Sequence, residues 1–163
     1  MRAAIITIST SLSEGQGADE SGPALVEFAR GLGAEIAAVE IVTDDRHKIE
    51  WALRHYADSD VCDLVLTTGG TGFSPDDVTP EATREVIDRE APGIAEAMRA
   101  ASRAHTDKWM LSRAVAGIRR RTLIVNFPGS PKSIGQIGAE IGSALPHAIA
   151  LLNRDPARDP HGD

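Results

Sequence analysis

A run of threonines and glycines follows an apolar segment near the middle of the chain, and its residue types suit anion binding. The candidate phosphate-binding residues are Thr68, Gly69, Gly70, Thr71 and Gly72. Glycines let consecutive backbone N–H groups point into one concavity without a Cβ in the way, and threonine hydroxyls add donors. No Lys-Ser/Thr pair follows the glycines and their spacing is not G-x-G-x-x-G, which argues against a P-loop and a Rossmann dehydrogenase. The alternative is a plain flexible connection.

Carboxylates follow two of the predicted strands. Asp76 and Asp77 lie just before a predicted helix, and Asp44 lies two positions after the end of a predicted strand. A carboxylate beside a phosphate cradle indicates a Mg²⁺ ion between them, because carboxylate and phosphate repel each other. The alternative for each is helix capping: Asp44 or Asp45 can cap the next helix, whereas Thr79 is the predicted cap that leaves Asp77 free to face the glycines.

The segment "NFPGSPKS" repeats this design after another predicted strand. Gly129 supplies a turn, Ser130 is a predicted N-cap, and Lys132 places a cation in the first turn of a helix. A cation is locally unfavourable there unless an anion lies beside it. The alternative is a solvated lysine.

The five histidines show no metal-ligand spacing, and Trp109 is interpreted as a packing residue that could also wall a pocket.

Composition narrows the class of protein. The 163 residues include 17 basic and 24 acidic side chains, and this net charge of −7 argues against a nucleic-acid binder. The one cysteine, Cys62, excludes an internal disulfide. The apolar run in "MRAAIITIST" is too short for a signal peptide, and no segment approaches a membrane span. We expect a cytoplasmic protein with one domain over residues 1–153 and a flexible tail over 154–163.

Strand and helix patterns alternate along the chain. Strands are predicted over 2–9, 35–42, 64–67 and 122–127, the last possibly paired with 115–119, and helices over 23–32, 45–57, 80–89, 92–104 and 133–152, with a short turn at 108–114. This alternation predicts a three-layer α/β/α fold with a largely parallel sheet. Because ligands in such folds lie at the carboxyl ends of the strands, Asp44, the glycine run and Gly129 should meet at one edge.

Three segments resemble a known family. "TTGGTGFSPDDVTPEAT", "MLSRAVAGIR" and "LIVNFPGSPKSI" are similar to the MogA/MoaB-type molybdopterin adenylyltransferases of molybdenum-cofactor biosynthesis, whose domain also occurs in plant Cnx and animal gephyrin proteins. The resemblance extends from about Ala3 to Leu152. It implies Mg²⁺-dependent transfer of AMP from ATP to molybdopterin, with release of pyrophosphate. The nucleophile would then be the phosphate of molybdopterin, so that no catalytic serine or cysteine is required.

The resemblance also implies roles for individual residues. Asp44 and Asp77 match the catalytic aspartates and would hold Mg²⁺, the glycine loop matches the phosphate-binding segment, and residues 19–22 match a motif that closes on the site. The implied molybdopterin side consists of Ser112, Gly129, Ser130 and Lys132. A homotrimer and docking to a molybdenum-insertion protein are further implications. The alternatives are a non-catalytic molybdopterin-binding or scaffold module of the same fold and a different nucleotide-dependent α/β enzyme.

Overall fold

A computed structural model describes residues 1–154; residues 155–163, which make up most of the predicted tail, lie outside the described residues. Its strands are Arg2–Ile8 (β1), Glu35–Val42 (β2), Leu64–Thr68 (β3), Arg89–Glu90 (β4), Ala116–Arg119 (β5) and Thr122–Phe127 (β6). They form one sheet in the order β2-β1-β3-β6-β5-β4. The pairs β1–β2, β1–β3 and β3–β6 are parallel, whereas β5 is antiparallel to β4 and β6. The predicted, largely parallel sheet is confirmed.

Helices cover both faces of the sheet. They are Thr10–Ser13 (α1), Ser21–Gly31 (α2), Arg46–Asp58 (α3), Thr79–Val86 (α4), Pro92–Arg103 (α5), Pro131–Ile141 (α6) and Ala144–Leu152 (α7), with a 3-10 helix at Asp107–Leu111. Within residues 1–154, no helix has both the length and the apolar character that crossing a bilayer requires.

Two apolar cores lie on opposite faces of the sheet, as the three-layer prediction requires. Ile5 and Leu66 belong to the core under α2, α5, α6 and α7. Their chain neighbours Ile6 and Val65 belong to the core under α3 and α4. Because successive strand side chains point to opposite faces, a strand that is covered on both sides must be apolar throughout. This explains the uninterrupted apolar runs in β1, β3 and β6.

Two predicted helices are wrong in extent. The helix predicted over 80–89 ends at Val86, and β4 follows it, because the chain extends at Ile87 to pair with β5. A strand of two residues carries no periodicity that a sequence could show. The helix predicted over 133–152 begins at Pro131 and is interrupted after Ile141. Pro146 has no N–H to bond the carbonyl oxygen of the residue four positions earlier, so the helix ends and begins again.

The predicted loop between β1 and α2 also contains helical structure. The short helix α1 begins after Ser9, whose hydroxyl oxygen accepts from the backbone N–H of Leu12. Helix α2 begins at Ser21, two residues before the predicted start, and Asp19 Oδ1 accepts from the N–H of Gly22 at 2.9 Å. Helix α2 ends at Gly31, one residue before the predicted end, and Gly33 just beyond it has a φ of +79°.

The buried thiol of Cys62 leads to a first prediction. Burial raises its pKa to about 11, and the residue is only 4% exposed. At pH 8 a thiol of this pKa is about one part in a thousand thiolate, and the thiolate is the reactive form. We expect no reaction with Ellman's reagent in the native protein and one equivalent in denaturant. Rapid labelling of the native protein would contradict this burial.

Candidate active site

The glycine loop begins where β3 ends, at the carboxyl edge of the sheet between β1 and β6. Gly69 and Gly70 have φ angles of +100° and +63°. A Cβ at Gly69 would lie 2.3 Å from the carbonyl oxygen of Ile8, and a Cβ at Gly70 would lie 2.4 Å from Thr79 Oγ1. Real Cβ atoms do not approach oxygen this closely, so both positions require glycine.

Hydrogen bonds from side-chain hydroxyl groups stabilise the two ends of this loop. Thr68 Oγ1 donates to the carbonyl oxygen of Pro128 at 2.9 Å, and Thr79 Oγ1 donates to that of Gly69 at 3.0 Å. The N–H of Thr79 donates to the carbonyl oxygen of Gly70 at 3.1 Å. Two interpretations change as a result. Thr79 is the first residue of α4 rather than its side-chain cap, and the Thr68 hydroxyl donates within the chain instead of facing a ligand.

Three consecutive backbone N–H groups in the loop have no acceptor. Within residues 1–154, the N–H groups of Gly70, Thr71 and Gly72 form no hydrogen bond. Backbone N–H groups that lack partners are costly unless water or a ligand binds them. Neighbouring N–H groups with left-handed residues between them form an anion-binding nest. This is the feature that the glycine pattern predicts.

Asp44 lies beside this nest, and the structure excludes its alternative interpretation as the cap of α3. Asp45 is the cap of α3, because its Oδ1 accepts from the N–H of Lys48 at 3.0 Å, which lowers the pKa of Asp45. Asp44 Oδ2 instead accepts from the N–H and hydroxyl of Thr10, at 2.7 and 3.0 Å. Asp44 Oδ1 lies 3.4 Å from the position that a Cβ on Gly70 would occupy. Asp44 therefore does not cap α3: its carboxylate accepts from the first residue of α1 and lies beside the glycine loop.

Asp77 approaches the loop from its other end. Asp77 Oδ2 accepts from the N–H of Ser74 at 2.8 Å and lies 2.9 Å from the position of a Cβ on Gly72. The neighbouring Asp76 is exposed. Asp44 and Asp77 thus lie beside loop positions two residues apart, Gly70 and Gly72.

The donor set at this site fits Mg²⁺. Among the described residues, both Asp44 and Asp77 use only Oδ2 in hydrogen bonds, which leaves Oδ1 of each available as a ligand. No group of three or more His, Cys, Asp or Glu side chains suited to a metal occurs in residues 1–154. Mg²⁺ commonly binds one or two carboxylates together with waters and substrate phosphates. Two carboxylates beside an N–H nest match that preference.

A cavity of about 420 Å³ is lined in part by the glycine loop and by Asp77. Its wall includes two of the predicted molybdopterin residues, Ser112 and Gly129, but not Ser130 or Lys132. The Ser130 hydroxyl caps α6, as predicted, by accepting from the N–H of Ser133 at 3.4 Å. Lys132 is exposed in the first turn of that helix. The structure therefore brings half of this predicted group to the cavity.

Other cavity residues come from the 3-10 helix and from α5, and of these the sequence had indicated only Trp109 as a possible pocket wall. Lys108 and Trp109 come from the 3-10 helix, which contributes a cation and an aromatic wall. The Arg103 guanidinium lies 5.8 Å from the centre of the Trp109 ring. Met98 and Ser102 contribute from α5, and their spacing of four residues places them on one helix face. That spacing is a sequence signal that could have indicated the contribution of α5 to this wall.

The motif at residues 19–22 lies at the same edge of the sheet. Thr7, near the end of β1, donates through its hydroxyl to Asp19 Oδ2 at 2.7 Å. A Cβ at Gly22 would lie 2.7 Å from Thr7 Oγ1, so glycine permits this close packing. The motif thereby connects the start of α2 to the strand that borders the glycine loop.

Together these features define an α/β ligand-binding domain whose site combines a glycine N–H nest, two carboxylates and an adjoining cavity at the carboxyl edge of a parallel sheet. Comparison with known proteins gives the particular family. The chain belongs to the family described as "probable molybdopterin binding domain", whose model matches residues 4–147.

Individual relatives resemble the chain over most of its length. The molybdopterin adenylyltransferase of Escherichia coli K12 is 42% identical over 166 residues, which cover 93% of this chain and 85% of the relative. The crystal structure of the molybdopterin biosynthesis enzyme MoaB from Thermus thermophilus has 46% identity and a TM-score of 0.87, and covers 93% of this chain and 95% of that one. The molybdenum cofactor synthesis protein cinnamon of Drosophila melanogaster is 38% identical to this chain. The match covers 93% of this chain but only 25% of the length of cinnamon.

Proposed function

We propose that this protein is a molybdopterin adenylyltransferase, which transfers AMP from ATP to molybdopterin and releases pyrophosphate. The observation that carries the proposal is the nest of N–H groups of Gly70, Thr71 and Gly72, which have no acceptor among residues 1–154, with Asp44 and Asp77 beside it. The 42% identity to the Escherichia coli molybdopterin adenylyltransferase supports the assignment of substrates. The proposed role lies in molybdenum-cofactor biosynthesis.

The reaction is a phosphoryl transfer in which the chain positions two phosphates. An oxygen of the molybdopterin phosphate attacks the α-phosphorus of ATP, and the bond from that phosphorus to the pyrophosphate oxygen breaks. The nest binds phosphate oxygens through backbone N–H groups that are already in position. Asp44 and Asp77 would hold Mg²⁺, which when bound neutralises phosphate charge. Holding both reactants in line supplies much of the acceleration expected of such a site.

The adjoining cavity is the proposed molybdopterin site. Trp109 offers a flat aromatic wall for the pterin, and Lys108 and Ser112 are donors for its polar groups. Its volume of about 420 Å³ suits a small-molecule site, since ligand pockets range from about 300 to 1,000 Å³. Because the glycine loop forms part of this wall, the molybdopterin phosphate can lie next to the bound nucleotide.

Two lysines allow a matched comparison: Lys108 lies in the cavity wall, and Lys132 lies in the first turn of α6. Lys108→Ala is expected to weaken molybdopterin binding about tenfold, because a hydrogen bond to a charged group contributes about 1.5–3 kcal/mol. Lys132→Ala removes the same charge from an exposed position outside the cavity wall and should change affinity less than about twofold. Titration followed by molybdopterin fluorescence measures both. A larger loss with Lys132→Ala would place the molybdopterin phosphate at α6 instead.

Turnover distinguishes the enzyme from the alternative binding or scaffold module. The wild-type protein is incubated with Mg²⁺ and with ATP, molybdopterin or both, and pyrophosphate is measured. We expect release only when both substrates are present. Tight molybdopterin binding without pyrophosphate release would support the module, and pyrophosphate release from ATP alone would support a different nucleotide-dependent enzyme.

We also propose that the protein is a homotrimer. The alanine-rich helix α5 does not offer Ala95 or Met98 for such a contact, because both are buried within their own domain. Exposed apolar side chains lie instead on the edge strand β2 and on α3, where Val39, Ile41 and Trp51 are 56%, 40% and 62% exposed. An apolar edge strand of this kind favours association.

Light scattering after size-exclusion chromatography tests the trimer. We expect a mass of three chains for the wild type and a smaller mass for Trp51→Glu, because a charge at a buried contact is costly. A monomeric wild-type protein at micromolar concentration would contradict the proposal.

The remaining proposals concern cellular context. We propose that the protein acts in the cytoplasm and that it docks with a molybdenum-insertion protein that receives the adenylylated product. The support for both is the resemblance of the glycine loop and the "MLSR" and "PGSPK" segments to the MogA/MoaB-type enzymes. Co-purification of such a partner with the tagged protein would test the docking.

A further inference from the structure

One guanidinium connects the segments that form the candidate active site. Arg113 Nε donates to the carbonyl oxygen of Gly72 at 2.7 Å, and Arg113 Nη2 donates to that of Asp77 at 2.5 Å. The backbone N–H of Arg113 donates to the carbonyl oxygen of Thr71 at 2.9 Å. Arg113 Nη1 forms an ion pair with Glu81 in the first turn of α4. Arg113 therefore contacts the glycine loop, the segment that carries Asp77, and the helix after it.

We infer that Arg113 is a positioning residue for the adenylyl transfer: it fixes the N–H nest and Asp77 relative to each other. The inference rests on the proposed function. Glycine-rich segments sample many backbone conformations, so a nest needs outside contacts to keep its geometry. Arg113 supplies them through two loop carbonyl groups, those of Thr71 and Gly72.

The contacts of Arg113 favour a positioning role over direct contact with phosphate. All three nitrogen atoms of its guanidinium already donate within the chain, to Gly72, Asp77 and Glu81. The side chain is 31% exposed, and the planar fork directs its N–H groups in fixed directions. A guanidinium held at three points acts on a substrate through the groups it holds.

Glu81 is the carboxylate that pairs with the Arg113 guanidinium. Burial acts to raise the pKa of Glu81, but the hydrogen bond from Arg113 and a backbone hydrogen bond outweigh it, so the pKa lies below its ordinary value. Glu81 Oε2 is buried and has no hydrogen-bond partner among the described residues. An ionised carboxylate in this position needs the guanidinium, and the guanidinium is in turn oriented by the carboxylate.

Arg119 is a matched control at the opposite edge of the sheet. Arg119 Nε and Nη2 donate to the two carboxylate oxygens of Asp58 at 2.8 and 2.7 Å, and Nη1 donates to the carbonyl oxygen of Val86 at 2.8 Å. Like Arg113, it pairs with a carboxylate and with backbone carbonyl oxygen. It lies at the end of β5, where β6 begins, so its contacts do not include the glycine loop.

The experiment compares Arg113→Gln, Arg113→Lys and Arg119→Gln. For each variant, kcat and KM for adenylylation are measured across Mg²⁺ concentrations. Hydrogen exchange is followed in the peptide that covers residues 69–78, where the hydrogen-bonded amides of Gly69, Ser74 and Asp77 report opening of the loop. We expect Arg113→Gln to lower kcat about 10²-fold, since misplacement of reacting groups by about 1 Å costs that much. The Mg²⁺ concentration that gives half-maximal activity should rise. Hydrogen exchange over residues 69–78 should become at least about tenfold faster, because the loop opens more readily.

The two other variants decide what these changes mean. Arg113→Lys should not restore kcat or exchange protection, because one ammonium cannot bond three separated acceptors in fixed directions. Arg119→Gln should lower the unfolding temperature but leave kcat within about twofold and exchange over 69–78 unchanged, since its contacts lie far from the loop. Full activity and protection in Arg113→Lys, or equal effects of Arg119→Gln on the loop, would overturn the inference.

Two further measurements keep the outcomes separate. If Arg113→Gln does not fold, Arg113→Lys and Glu81→Gln are compared instead, and wild-type exchange over 69–78 in both would overturn the inference. If the wild-type protein forms no adenylylated product, the proposed function fails. In that case, faster exchange over 69–78 in the Arg113 variants but not in Arg119→Gln would still support the positioning of the loop by Arg113. Unchanged exchange in the Arg113 variants would overturn the inference.

Discussion

Asp77→Asn and Asp44→Asn are each expected to slow adenylylation of molybdopterin by about 10²-fold or more. Each substitution removes a negative charge that Mg²⁺ requires, and metal stabilisation of a transition state is worth several kcal/mol. A loss of half that amount corresponds to about 10²-fold, at about 1.4 kcal/mol per tenfold. Binding of Mg²⁺ in the presence of a non-hydrolysable ATP analogue should weaken in parallel, and calorimetry measures it independently of turnover.

The structure provides controls for this prediction. An asparagine oxygen can still accept from the N–H of Ser74 at position 77 and from the N–H of Thr10 at position 44, so both variants should fold and still bind molybdopterin. Asp76→Asn removes the same charge from the exposed neighbour and should alter the rate less than about twofold. A near-wild-type rate in Asp77→Asn or Asp44→Asn would show that the carboxylate at that position has only a structural role.

Gly70→Ala is expected to abolish most activity, with a loss of about 10²-fold or more in kcat, since misplacement of reacting groups by about 1 Å carries a penalty of this size. The added Cβ would lie 2.4 Å from Thr79 Oγ1. The clash displaces the loop from the segment that fastens it. The φ of +63° adds a backbone penalty of about 1–3 kcal/mol for a residue other than glycine.

Gly33→Ala separates backbone strain from the steric effect. Gly33 has a φ of +79°, but nothing lies within 4 Å of the position of its Cβ. This variant should lose stability through φ alone and keep its kcat. Thermal unfolding and initial rates of both variants make the comparison. Equal losses of kcat at positions 33 and 70 would show that activity follows global stability rather than the shape of the loop.

The features that the sequence predicted correctly are those with a local signal. Alternating apolar and amphipathic segments indicated the parallel sheet and its two covering layers. The glycine run indicated the nest, because three neighbouring residues carry that information themselves. Pro146 is a local signal of the same kind, since a proline so placed leaves a carbonyl without its helical partner. The prediction of one continuous helix over 133–152 gave that proline too little weight.

The remaining features depend on contacts between distant parts of the chain. The sequence left open whether Asp44 or Asp45 caps α3, because the answer depends on Thr10, which lies 34 positions before Asp44. Arg113 meets Gly72 across 41 positions, and no periodicity reports such a contact. Lys108 reaches the cavity from a 3-10 helix, and nothing in the local sequence indicated that this lysine would line a cavity.

The most direct test of the central claim follows the α-phosphate of ATP. The wild-type protein is incubated with Mg²⁺, molybdopterin and ATP that is labelled at the α-phosphorus, and the products are separated. Adenylyl transfer predicts that the label appears in adenylylated molybdopterin, together with an equal amount of unlabelled pyrophosphate. Label that stays in ATP while molybdopterin is bound to the protein would contradict the account.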